Sequence, residues 1–282
     1  MSDEQLVRLI ECALGVVTIL ALVWVGVPEA RPWVVVWESC RRTVRSGKRL
    51  LYLAAGLSIL TFNYLYLVFG LDQACTAWVV HFFGSEDFTH LVHGLEGEAV
   101  AKVQGSFDWL PLTWFLGFVY VVVFPSLVFV AIFVFDHLRN RRGLAMVLIG
   151  YVLNYLLELP FYLLFPVREV FHYYRNDLGS SSVRLLLDDI GEVIMRAYRA
   201  MSGLDNCFPS FHTSLAVTLA LVCWHTGRRR FASVVTFLAI ANVFSTVYLG
   251  IHWVSDVAGG AVVGLVSYWL ARMLSRRWPE RA

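Results

Sequence analysis

Residues 245–256 read Ser-Thr-Val-Tyr-Leu-Gly-Ile-His-Trp-Val-Ser-Asp and join two apolar runs, 231–251 and 255–274. Each run is long enough to cross a bilayer as a helix, so an ionisable pair, His252 and Asp256, stands at the junction of two membrane spans. If the segment is helical, the four-residue spacing puts both side chains on one face. The carboxylate can then hold one imidazole nitrogen and leave the other free. A histidine held in this way works as a base or a nucleophile. The structural alternative is a buried hydrogen bond that only ties two helices together, and this stretch alone leaves both open.

The rest of the composition agrees with a membrane setting. The chain of 282 residues is 58% hydrophobic and only 16% charged, with a mean hydropathy of +0.64. Those values describe an integral membrane protein and exclude a soluble globule or a nucleic-acid-binding domain. Basic residues cluster between 31 and 49, at Arg139, Arg141 and Arg142, at Arg228, Arg229 and Arg230, and at Arg276, Arg277 and Arg281. Placing these clusters in the cytoplasm predicts spans at 10–27, 50–70, 109–135, 144–165, 211–226, 231–251 and 255–274. The N-terminus is then outside and the C-terminus cytoplasmic. Asp3, Glu4 and Glu11 surround Arg8, which is the wrong charge for a secretory leader, so the first span is expected to stay.

Two outer connections have helical apolar spacing. Phe88, Leu91, Val92, Leu95 and Val103 mark an interfacial helix near 88–103. Val183, Leu186, Leu187, Ile190, Val193, Ile194 and Met201 mark another near 183–201, either a lid or plain packing. His90 and His93 near Glu96 are metal-ligand types, but their spacing alone is weak evidence and solvated helix positions are the stronger reading. Cys12, Cys40, Cys75, Cys207 and Cys223 show no metal-ligand spacing, so neither a zinc site nor a disulfide framework is predicted, and no cofactor is expected. Cys75 and Cys207, expected on one face, are a candidate disulfide. Asn154 and Glu158 within the fourth span should face the bundle interior, Glu158 as a structural partner or as a site group. Gly260 and Gly264 form a G-x-x-x-G suited to close helix packing.

The fifth span opens with Cys-Phe-Pro-Ser-Phe-His-Thr-Ser, residues 207–214. Pro209 and Ser210 suit a first helical turn, whose unpaired amides favour an anion such as phosphate. His212 lies in that turn, and Ser210 adds a hydroxyl. Two histidines from different helices are therefore expected at one anion site on the outer face.

These residues resemble the type 2 phosphatidic acid phosphatase (PAP2) superfamily. Pro209-Ser210-Phe211-His212 is similar to its second signature, P-S-G-H, and Ser245-Thr246 with His252 and Asp256 is similar to its third, S-R-x5-H-x3-D. The first signature, K-x6-R-P, is matched at Arg168 alone, with Phe161 and Glu169 at the lysine and proline positions. Thr246 replaces the arginine of the third signature, and Phe211 the glycine of the second. The resemblance implies an all-α polytopic bundle: a six-helix catalytic core over 50–282, preceded over 1–49 by an extra N-terminal span and a basic loop. It implies His252 as nucleophile through a phosphohistidine, Asp256 as its orienter and His212 as proton donor. Ser210, Arg168, Ser245 and Thr246 would line the substrate site without a metal. The P-S-F-H-T form is similar to the inositol phosphorylceramide synthase branch, which implies transfer of a headgroup phosphate to an alcohol acceptor such as inositol or a lipid alcohol. The expected activity is thus that of a phosphotransferase or phosphatase on a lipid phosphate or phosphodiester at the outer face, and a lipid phosphate or isoprenyl diphosphate phosphatase is the alternative. A non-catalytic lipid-binding or transport protein is a further one.

Overall fold

The computed structural model describes residues 3–45, 78, 80–82, 87–199, 206–226 and 228–277. The predicted second span at 50–70 and Cys75 lie outside them. The described chain is all-helical: α1 (Asp3–Gly26), α2 (Pro32–Arg45), α3 (Thr89–Glu96), α4 (Ala99–Ser106), α5 (Leu110–His137), α6 (Arg141–Leu164), α7 (Val170–Asn176), α8 (Glu192–Arg199), α9 (Phe211–Thr226), α10 (Arg229–Tyr248) and α11 (Val254–Leu274). Among the described residues four helices are long and apolar enough to cross a membrane: α5, α6, α10 and α11, the last continued by a 3-10 turn to Arg277. Cys12–Gly26 and Phe211–His225 are shorter apolar helices.

Helix α9 is the axis of the bundle, enclosed by α6, α10 and α11. Close approach to α11 is made possible by the two glycines of the G-x-x-x-G. A Cβ on Gly260 would lie 2.5 Å from Ser210 O, and one on Gly264 would press on Ser214 O. A buried polar network ties the same helices together lower down. Asn154 Nδ2 donates to Thr218 Oγ1 at 2.9 Å, and Thr218 Oγ1 donates to Gly264 O at 3.0 Å. Asn154 is fully buried, as an amide in a lipid-facing helix must be.

The basic segment 31–49 is not simply a loop. Its residues Pro32–Arg45 form α2, with Val35 and Ser39 buried and Trp33 and Trp37 exposed, an apolar stripe among basic residues. Arg42 Nε donates to the buried Asp136 at the end of α5 at 2.8 Å. Nearby, Arg228 pairs with Glu29 at 2.5 Å, and Arg230 lies 5.4 Å from the centre of the Trp24 ring. These contacts gather the basic turns at one end of the bundle.

At the other end the amphipathic segments are shorter than their periodicity suggests. The 88–103 stretch divides into α3 and α4 at Gly97, whose φ of +53° ends the first helix. The 183–201 stretch divides into a 3-10 turn, Leu186–Asp189, and α8, separated by Gly191 with φ +118°.

Candidate active site

Three sequence-distant segments meet at the start of α9 through backbone hydrogen bonds. Cys207 N donates to Val167 O at 3.0 Å, Val170 N to Ile251 O at 3.1 Å, Phe171 N to Gly250 O at 2.9 Å and Ser210 N to Asp256 O at 3.0 Å. The turn at Gly250 needs glycine, since its φ is +80° and a Cβ would sit 2.6 Å from Arg184 O. Gln104 of α4 holds this turn from outside, its Nε2 donating to Arg184 O at 2.8 Å and to Tyr248 O at 3.0 Å.

His252 lies just before α11 rather than on its face. Its amide donates to Thr246 O at 2.9 Å, and Asp256, in the first turn of α11, reaches back to it. Asp256 Oδ2 lies 3.2 Å from His252 Nδ1 and accepts from Trp253 N at 2.8 Å. The carboxylate thus holds the helix end and the imidazole together, and leaves Nε2 as the nitrogen free to react. Asp256 is fully buried, and His252 is 6% exposed.

His212 comes in from α9, with its ring centre 6.1 Å from that of His252. Its ring stacks on Tyr120 of α5 at 4.2 Å and 17°, with Phe124 at 5.0 Å. Ser210 begins the helix, its Oγ accepting from Thr213 N at 3.4 Å. Among the described residues no acceptor takes the amides of Phe211 and His212, the first two of α9. Behind them, Tyr162 Oη lies 2.9 Å from Pro209 O and 3.0 Å from the fully buried Glu158. Glu158 therefore braces the turn that carries Ser210 and His212.

The other predicted ligands are engaged elsewhere. Arg168 donates to Asp177 from Nη1 at 2.8 Å and from Nη2 at 3.0 Å, while Nη2 also pairs with Asp87 at 2.8 Å. Ser245 and Thr246 are buried and donate to Asn242 O and Val243 O of their own helix at 2.6 and 2.7 Å. Glu96, near His90 and His93, accepts from Val254 N at 2.8 Å and Ser255 N at 2.5 Å, closing the N-terminus of α11. His90 is exposed, and His93 packs against Tyr173, Tyr174 and Trp253. Cys207, His252 and Asp256 each offer a ligand atom within 4.8 Å of the others, although Cys207 Sγ lies 3.6 Å from Ile251 O and Asp256 already serves two partners.

Sequence reasoning missed Tyr120, Glu96 and the buried hydrogen bond between Tyr198 of α8 and Glu169. Tyr120 gave a faint signal, as a hydroxyl within the apolar run Phe118 to Phe124 shortly before Pro125.

A sequence profile of the PAP2 superfamily matches residues 94–270, which takes in every segment of this site and leaves out α1 and α2. Over 72 residues the chain is 38% identical to the Escherichia coli K12 protein YbjG, which carries the name undecaprenyl-diphosphatase. That match covers 25% of this chain and 35% of the relative. It is 31% identical over 75 residues to the lipid A 4'-phosphatase of Bacteroides thetaiotaomicron, covering 26% of this chain and 33% of the relative. The chain thus aligns with about a third of the length of these curated relatives. No solved structure matches it significantly.

Proposed function

The chain belongs to the PAP2 superfamily, and on that premise we propose that it is a membrane phosphatase that hydrolyses a lipid phosphate or diphosphate at the outer face. The observation that carries the proposal is the approach of His212 and His252, 6.1 Å between ring centres, with Asp256 on Nδ1 of the second. His252 Nε2 attacks phosphorus, the bond to the leaving oxygen breaks, and His212 gives that oxygen a proton. Water then attacks the phosphohistidine, passes a proton back to His212 and releases phosphate. The amides of Phe211 and His212 supply donors for the phosphoryl oxygens. Arg168 is the cation the family pattern brings to the phosphate, and it serves there once Asp87 and Asp177 release it.

Names of the relatives support a lipid phosphate or diphosphate as the substrate class. The inositol-transfer alternative differs only in the second step, where an alcohol replaces water. One assay addresses both: phosphate release and lipid products are followed for the purified protein with a polyprenyl diphosphate or a lipid phosphate, with and without inositol. His252→Ala and Asp256→Ala should lose at least about 100-fold in turnover. Wild-type turnover in either variant refutes the mechanism, and an inositol-containing product identifies a transferase.

A further inference from the structure

The carboxyl group of Asp256 is used on one side only. Both of its partners, His252 Nδ1 and Trp253 N, meet Oδ2. Its Oδ1 is buried and has no hydrogen-bond partner among the described residues. Buried polar atoms of native proteins are nearly always met, so an orphaned one marks strain, a catalytic role or an ion.

A thiol stands beside this carboxyl group. Cys207 is 2% exposed, takes part in no disulfide, and directs Sγ at Ile251 O, the carbonyl just before His252, at 3.6 Å. Its sulfur, a nitrogen of His252 and an oxygen of Asp256 all lie within 4.8 Å of one another. No local spacing announces the cluster, because α9 and α10 separate Cys207 from the other two in sequence. Sulfur, imidazole and carboxylate are zinc ligands, and three of them leave a fourth position open. Zinc bonds of about 2.0–2.3 Å put tetrahedral ligand atoms roughly 3.3–3.8 Å apart, so the cluster contracts by at most roughly 1.5 Å to hold the ion. Side-chain rotation can supply that. Thiolate and carboxylate together cancel the charge of a divalent cation, as a buried site requires.

We propose that Cys207, His252 and Asp256 bind a thiophilic divalent cation such as zinc, and that the bound ion switches the nucleophile off. The ion takes the place of the proton between His252 Nδ1 and Asp256. It occupies the Nδ1 lone pair, the proton of the neutral ring moves to Nε2, and the thiol proton is released to solvent. Nε2 then has no lone pair with which to attack phosphorus. The switch rests on the proposed role of His252 as nucleophile, whereas the binding of the ion does not. Magnesium, which takes oxygen ligands, should not fit.

The test uses the full-length protein in detergent micelles. Free zinc should slow the loss of lipid substrate, a chelator should restore the rate, and magnesium should leave it unchanged. Cys207→Ser should keep the zinc-free rate and need at least about 10-fold more zinc for half inhibition, since a lost ligand costs no less than a lost outer-shell partner. Cobalt(II) reports binding without turnover: the wild type should show a thiolate-to-cobalt charge-transfer band that is absent in Cys207→Ser. In His252→Ala that band should require at least about 10-fold more cobalt. A wild type without the band at saturating cobalt overturns the site, as does a band that survives in Cys207→Ser. Equal zinc inhibition of wild type and Cys207→Ser overturns the switch, because the ion then acts on the substrate or elsewhere. If His252→Ala keeps wild-type turnover, the nucleophile role and the switch fail, while the cobalt band still decides the site.

Discussion

Replacing Gly260 with alanine separates the two halves of the site with a single methyl group. Its Cβ would lie 2.5 Å from Ser210 O and 3.0 Å from Thr213 Cβ, while ordinary C···O contacts begin near about 3.3 Å. Helices α9 and α11 must therefore part by roughly 0.8 Å at this level. Overpacking of this kind costs about 1–3 kcal/mol, and the better helix propensity of alanine returns up to about 1 kcal/mol. The net loss of stability is therefore between zero and about 2 kcal/mol. Turnover changes far more, because α9 carries His212 and the first turn of α11 carries Asp256. A misplacement near 1 Å costs on the order of 100-fold, so Gly260→Ala should lose roughly 10- to 100-fold in kcat. Gly264→Ala is the internal control, since it makes the same clash with Ser214 O about 6 Å further down the helix. The assay is the initial rate of phosphate release in micelles, with the unfolding midpoint measured on the same samples. Wild-type turnover in Gly260→Ala refutes the reasoning, as does an equal loss in Gly264→Ala at matched stability.

Two further outcomes follow from the polar contacts at the bundle ends. Glu96→Ala removes the acceptor for Val254 N and Ser255 N. It should cost about 0.5–2 kcal/mol, the range of an N-cap loss, and speed amide exchange in the first turn of α11, which hydrogen-exchange mass spectrometry reads directly. Glu29 is held below its ordinary value of 4.5 by a backbone hydrogen bond first and by Arg228 second, with partial burial opposing them. A depressed carboxyl stabilises the fold above the unfolded pKa and loses that contribution as pH falls through the folded one. Glu29→Gln should thus lower the unfolding midpoint slightly near neutral pH, by a fraction of about 1 kcal/mol for so exposed a pair. The difference from wild type should close as the pH drops below 4.5.

Local sequence carried the parts of the site that depend on spacing within one segment. Ser210 and His212 fall in one turn, and His252 and Asp256 meet through a helix start, so both pairs could be placed from their separations alone. Their convergence was legible because the arginine clusters at 139–142 and 228–230 imply that the start of α9 and the end of α10 lie at the same end of the bundle. What stayed hidden depends on long-range contact. Glu96 reaches Val254 across 158 residues, and Tyr120 reaches His212 across 92. Arg168 matched a signature by position, yet its guanidinium is held by Asp87 and Asp177, which no local pattern links to it. The two broken amphipathic segments were partly readable, since Gly97 and Gly191 stand where the helices stop. In both, the 3.6-residue recurrence outlasts the helix, because buried apolar contacts on either side of a break still fall on one face.

The length of α9 sets the depth of the chemistry. Sixteen residues rise only about 24 Å, against a hydrocarbon layer of about 30 Å. With its arginine-flanked end at one polar boundary, the opposite end, which bears Ser210 and His212, falls roughly 6 Å short of the other. In the proposed reaction, with α9 placed in this way, the phosphate would sink beneath the headgroup plane to react. A lipid anchored by its own tail needs only a small vertical displacement to do so, whereas a water-soluble ester would have to leave bulk solvent entirely. Selection for membrane-borne substrates can thus arise from the shortness of one helix, before any side chain recognises the lipid.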